Sequence, residues 1–268
     1  MARIERREVD GLAEEIKDAL SYKKKMPSQA KAYIALVIGA GTLLSLLAAG
    51  SWSSVNLRPF AIYLGLAALA SALKVRIPGM EGTISPNFVF LLLGMVALQF
   101  SQVAVISLAA ALVQSLWASA KRPRLLQVAF SAAALVLSSA LANKFAHLVL
   151  AGSSTDSAVV CVILAGSIYF PVNSGLVSMV IGLAEGRPLK QVCLRCYQWA
   201  FPYFMGGIAF AGLVSGAYAP SMLWKGALVL LPATVLAYLY FANLNARVAS
   251  AAMPVSVSQE EEYAEVRS

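Results

Sequence analysis

Residues 87–120 read "NFVFLLLGMVALQFSQVAVISLAAALVQSLWASA", and the fold turns on whether this apolar stretch is one helix or two. A single helix would be about 50 Å long, whereas a hydrocarbon core of roughly 30 Å needs about 20 apolar helical residues. Gln99–Phe100–Ser101–Gln102 is where a tight hairpin would turn. The surrounding charges favour the turn. With it, Lys74, Arg76, Lys121, Arg122, Arg124, Arg187, Lys190 and Arg195 all fall on the side of the basic N-terminal arm, as the positive-inside rule requires. Without it, the clusters at 121–124 and 187–195 change sides.

Composition sets the class. The chain has 268 residues, 59% hydrophobic and 13% charged, and its mean hydropathy is +0.73. These values describe an integral membrane protein. Apolar runs near 32–52, 58–75, 87–101, 103–120, 125–150, 157–184, 196–217 and 221–243 predict eight crossings. The runs are continuous in Leu, Ala, Val and Gly and do not alternate as barrel strands must, so the expected fold is an all-α polytopic membrane helix bundle. Its expected parts are a cytoplasmic arm (1–31), the bundle (32–247) and an acidic cytoplasmic tail (248–268) expected to be mobile.

The first 31 residues are densely charged and the first apolar run is full length without a cleavage signature, so no secretory signal peptide is expected. Within the arm, Val9, Leu12, Ala13, Ile16 and Leu20 share one helical face. Such an amphipathic helix either lies on the bilayer, pinned by Lys23, Lys24 and Lys25, or binds a partner. The net charge of +8 follows from the cytoplasmic loops and anionic headgroups; no nucleic-acid partner is expected.

Several chemistries are excluded by what the chain lacks. His147, the one histidine, sits near Lys144 without triad or metal partners. Cys193 and Cys196 form a single CxxC, but Cys161 belongs at the opposite end of its segment, about 30 Å away, so a four-ligand zinc site does not close. Asp156, Glu81 and Glu185 are the acids nearest the spans, and paired carboxylates for a proton relay or hydrolysis are missing. "GAG" at Gly39–Gly41 lies inside a crossing and reads as helix packing. No cofactor, metal or catalytic residue is expected.

The informative residues are polar and uncharged. In "SIYFPVNSGLV", residues 167–177, Pro171 and Asn173 fall mid-span. An amide in hydrocarbon requires a partner, so Asn173 either bonds a neighbouring helix or meets a ligand. Pro171, Pro202 and Pro232 remove donors from three successive helices and bend them. Gly175, Gly182, Gly206, Gly207, Gly212 and Gly216 allow close approach at other levels. The expected result is a pocket with Ser85, Asn87, Asn173, Gln198 and Tyr203 as ligand contacts. At the other end Arg58, Lys144, His147 and Lys225 face one acid, Asp156, as headgroup anchors or an anion-attracting vestibule.

From about 57 to 243 the order of "KVRIPGMEGTISPNFVFLLLG" (74–94), "QSLWASAKRPRLLQVAFSAAALVLSSALA" (114–142), "YFPVNSGLVSMVIGLAEGRPLKQV" (169–192) and "YQWAFPYFMGG" (197–207) resembles a membrane-embedded sensory region. That region is found at the N-terminus of bacterial signalling proteins with HD-GYP, GGDEF or related output domains. The resemblance implies a non-enzymatic module of the bacterial inner membrane, multi-pass, with both termini cytoplasmic. It would perceive a small-molecule or lipid ligand and act on a cytoplasmic signalling partner, since only about 25 residues follow the eighth segment. Residues 82–116 are also similar to the substrate-binding subunit of energy-coupling-factor vitamin importers, which would imply an ATPase partner. A structural membrane partner is the third reading.

Overall fold

The turn expected inside 87–120 is present. The computed structural model describes residues 26–52, 54–76, 83–117, 123–151 and 158–217. These form helices α1 (Ser28–Gly50), α2 (Leu57–Ala72), α3 (Asn87–Ala97), α4 (Phe100–Leu116), α5 (Leu125–Leu150), α6 (Ala158–Glu185) and α7 (Leu189–Ala217), with a short antiparallel ribbon of β1 (Val75–Arg76) and β2 (Thr83–Ile84). The amphipathic arm, the segment 221–243, the acidic tail, and Lys121, Arg122, Asp156 and Lys225 lie outside the described residues.

Leu98 and Gln99 are extended, with ψ of 161° and 153°, and separate α3 from α4. The break falls slightly before the expected turn, because Phe100, Ser101 and Gln102 already make the first turn of α4. Gln102 explains the position. Its Oε1 accepts the Gln99 backbone N–H at 3.4 Å, and its Nε2 donates to the Val55 carbonyl at 2.7 Å in the α1–α2 connection. The break thus lies beside the α1–α2 connection, with Leu98 buried and Gln99 exposed. At the other end Asn87 Nδ2 donates to Gln114 Oε1 at 3.3 Å and to Ser71 Oγ at 3.1 Å, which shows that α4 returns antiparallel to α3.

Eight crossings were expected, the last of them outside the described residues; four described segments are long and apolar enough to cross a bilayer, Ser28–Gly50, Leu125–Leu150, Ala158–Glu185 and Ala200–Ala217. The helices α2, α3 and α4 are shorter. For α3 the reason is burial. Every residue from Asn87 to Met95 is buried, and α2, α4, α6 and α7 pack around it. A helix apolar on all sides is enclosed by protein, and at 11 residues it is about 16 Å long, half the hydrocarbon thickness.

The outer helices show the opposite pattern. On α1, Ile34, Val37, Gly41 and Ala48 face inward while Leu36, Leu43, Leu46 and Leu47 are exposed. On α5, Leu141, Phe145 and Leu148 are exposed too. Large aliphatic side chains spread over an outer surface suit lipid, not water. The two helices touch at Gly41, where an added Cβ would lie 2.5 Å from the Ala133 Cβ, so the reading of "GAG" as packing applies to Gly41. Ser107 and Ser139 bond across α4 and α5 at 3.0 Å, and Ser71, Ser138 and Ser215 return their hydroxyls to carbonyls four residues earlier.

Lys74, Arg124 and Arg187 stand at helix ends. Lys74 Nζ donates to the Trp117 carbonyl, joining the ends of α2 and α4, and partial desolvation lowers the pKa of this ammonium. Gly186 at φ 67° ends α6, with Arg187 N–H bonded to the Gly182 carbonyl at 3.1 Å. This left-handed closure favours glycine. Pro188 then opens α7, its carbonyl accepting Gln191 and Val192 N–H. So α7 begins before the expected 196, and "EGRPL" is a helix stop followed by a helix start.

Candidate functional site

The candidate residues converge on the junction of α3, α6 and α7. Helix α6 runs through Pro171 and α7 through Pro202 without interruption; Pro232 lies outside the described residues. Proline at 171 leaves the Ser167 carbonyl without its usual donor. The Pro171 carbonyl itself accepts the Tyr197 hydroxyl at 2.9 Å, tying α6 to α7 beside Gly175.

One turn away, aromatic rings fill the junction. Phe204 centres the group, with ring centroids 4.5 Å from Phe88, 4.9 Å from Phe170, 5.8 Å from Tyr203 and 6.2 Å from Tyr169. Phe88 also lies 5.3 Å from Tyr203, and Phe170 5.1 Å from Tyr197. Tilted and edge-on rings at these distances attract beyond simple burial. Glycines permit the approach. A Cβ at Gly207 would lie 2.1 Å from the Phe88 ring, and one at Gly166 would lie 2.5 Å from Ile208.

Four buried polar atoms lack a hydrogen-bond partner among the described residues: Asn173 Oδ1 on α6, the Tyr203 hydroxyl on α7, Ser85 Oγ before α3 and the Tyr63 hydroxyl on α2. Each orphan costs about 1–3 kcal/mol unless water or a ligand meets it. The expected contacts therefore divide. Asn87 is engaged with Ser71 and Gln114, which makes it a tie between α2, α3 and α4. Tyr203 adjoins α3 through Phe88. The Gln198 side chain lies outside the description, and Ser85 stands at the basic end, before the first turn of α3. Tyr63 and, Tyr203 apart, the ring group were not singled out from sequence, although Tyr197, Phe201 and Phe204 share one helical face and could have signalled it.

Gln102 and Asn143 serve structure, Asn143 Nδ2 reaching the Met95 carbonyl at 3.5 Å. Among the described residues, no group of three His, Cys, Asp or Glu side chains comes together, and Cys161, Cys193 and Cys196 are free thiols. A separate cavity of about 200 Å³ lies between α1 and α4, lined by Ser45, Ala48, Ala49, Trp52, Ser101, Ala104, Val105 and Leu108.

The MASE9 family model matches residues 53–208, from the start of α2 through most of α7. The chain belongs to the MASE9 family of membrane-associated sensor domains. The match takes in the whole α3–α6–α7 junction and supports a membrane sensory domain. No curated protein and no solved structure matches the chain.

Proposed function

We propose that this MASE9 chain is a non-enzymatic receptor module that binds a small molecule or lipid at the α3–α6–α7 junction and passes occupancy to a cytoplasmic partner. One observation carries the reading: Asn173 Oδ1 on α6 and the Tyr203 hydroxyl on the neighbouring α7 are both buried and unpaired among the described residues, Tyr203 packing against the Phe88 ring. A ligand offering a donor to the Asn173 oxygen and a polar group to the Tyr203 hydroxyl would remove both penalties at once. Gln198 is assigned to the same site from its place one turn before Phe201 and Pro202 on α7, and Ser85 from its unpaired hydroxyl at the mouth of α3.

Occupancy favours one packing of α6 against α7 over another, and a difference of a few kcal/mol suffices to shift the populations. The shift is read at the basic end, through the Gly186–Pro188 turn or the N-terminal arm. Both termini are assigned to the cytoplasmic side of a bacterial inner membrane, because the basic loop ends collect there.

The test is native mass spectrometry of the full chain in mild detergent. A retained small molecule or lipid is expected, and Asn173→Leu should release it while leaving the protein monodisperse. Equal retention by Asn173→Leu removes the receptor reading. Co-purification with an ATPase instead would assign the chain to an importer.

A further inference from the structure

Cys193 and Cys196 take no part in the ring group or in the unpaired polar atoms of the α3–α6–α7 junction. They lie three residues apart near the start of α7, before the apolar stretch Ala200–Ala217 that is fit to cross a bilayer. Leu189 and Tyr197, each four residues from Cys193, both meet α6, Leu189 beside Gly182 and Tyr197 through its bond to the Pro171 carbonyl. Helical spacing therefore puts Cys193 in the column that faces α6, with Cys196 next to it. Their exposure sets the pair apart from the third cysteine. Both are half-buried, in a turn whose Lys190 and Gln191 are exposed, whereas Cys161 is buried as an inert packing thiol is.

Helix geometry decides what the pair can hold. Side chains three residues apart have Cβ atoms about 5–6 Å apart, whereas a disulfide needs roughly 3.5–4.5 Å. Joining the sulfurs directly would distort α7, which is helical throughout from Leu189 to Ala217. A thiophilic metal ion at about 2.3 Å from each sulfur spans the wider gap. Thiolates are soft ligands that select copper(I), zinc or iron–sulfur clusters. Zinc and the clusters take four protein ligands in structural sites, and among the described residues no third His, Cys, Asp or Glu joins the pair. Monovalent copper is satisfied by two thiolates. Its binding releases both thiol protons and leaves one net negative charge, which the exposed Lys190, three residues before Cys193, offsets.

We infer that Cys193 and Cys196 form a two-thiolate site for a soft monovalent metal ion of the copper(I) class on the face of α7 turned towards α6. The bound ion cross-links one turn of α7 between its contacts at Leu189 and Tyr197, and so stiffens the α6–α7 hairpin just past the Gly186–Pro188 turn. The site does not depend on the receptor reading of the junction.

The experiment titrates the reduced full chain, in mild detergent under nitrogen, with copper(I) buffered by bicinchoninate. Absorbance reads the metal taken from the chelator, and native mass spectrometry reads the stoichiometry. One copper per chain is expected. Cys193→Ser and Cys196→Ser should each weaken binding about a hundredfold, the loss of the second tether, while Cys161→Ser should not change it. X-ray absorption at the copper edge should show two sulfur neighbours in the wild type. Copper held as tightly by both single variants overturns the site, as does one copper shared between two chains. Should the variants fail to fold, a wild-type copper shell of nitrogen or oxygen in place of sulfur overturns it alone.

Discussion

Asn87 and Tyr203 carry the same kind of polar atom into the same apolar interior, with opposite outcomes. Asn87 finds Ser71 and Gln114, whereas the Tyr203 hydroxyl finds no partner among the described residues. Thermal unfolding of the ligand-free protein should separate the two roles. Asn87→Leu strands Gln114 and should lower stability by about 1–2 kcal/mol. Tyr203→Phe deletes an unsatisfied group and should leave the melting temperature unchanged or slightly higher, by up to ~1 kcal/mol, while abolishing the ligand response. A large loss of stability in Tyr203→Phe would mean that its hydroxyl is bonded, and the site would lose its strongest member. Sequence showed which residues are polar at depth; it could not show which of them are matched, because matching depends on the faces that meet.

At the scale of elements, adjacent glycines on α7 provide an internal control. A methyl group at Gly207 would collide with the Phe88 ring, and one at Gly206 meets nothing within 4 Å. Gly207→Ala should therefore push α3 from α7 and cost about 1–3 kcal/mol, whereas Gly206→Ala should be neutral or gain up to ~1 kcal/mol of helix propensity. Gly41 and Gly39 on α1 form the same contrast, since only Gly41 faces Ala133. Comparative melting of the four variants in one detergent checks both pairs. The periodic apolar pattern predicted these helices. It did not predict that α3 would be enclosed on all sides, because a continuous apolar run reads alike whether lipid or protein surrounds it.

For the whole molecule the hairpin decides the sidedness. Because α3 and α4 return antiparallel, Lys74, Arg124 and Arg187 occupy one end and the α1–α2 connection the other. In a background lacking Cys161, Cys193 and Cys196, an impermeant maleimide should label Ser54→Cys from outside right-side-out vesicles. Arg124→Cys and Arg187→Cys should react only in inverted vesicles. Labelling of Arg124→Cys and Ser54→Cys from the same face would mean that the hairpin does not carry the chain across.

The class of the protein was legible in the chain alone. Mean hydropathy, run length and basic loop ends imply an α-helical membrane bundle, because lipid demands long apolar helices and anchors charge at their ends. The Gly186–Pro188 stop and start could be read locally for the same reason: φ > 0 and a missing N–H are properties of single residues. Tertiary structure alone decided which amides tie helices and which stand unpaired among the described residues, that α3 is sheathed in protein, and that a hollow opens between α1 and α4. Those facts depend on distances between residues far apart in the chain, and no local pattern encodes them.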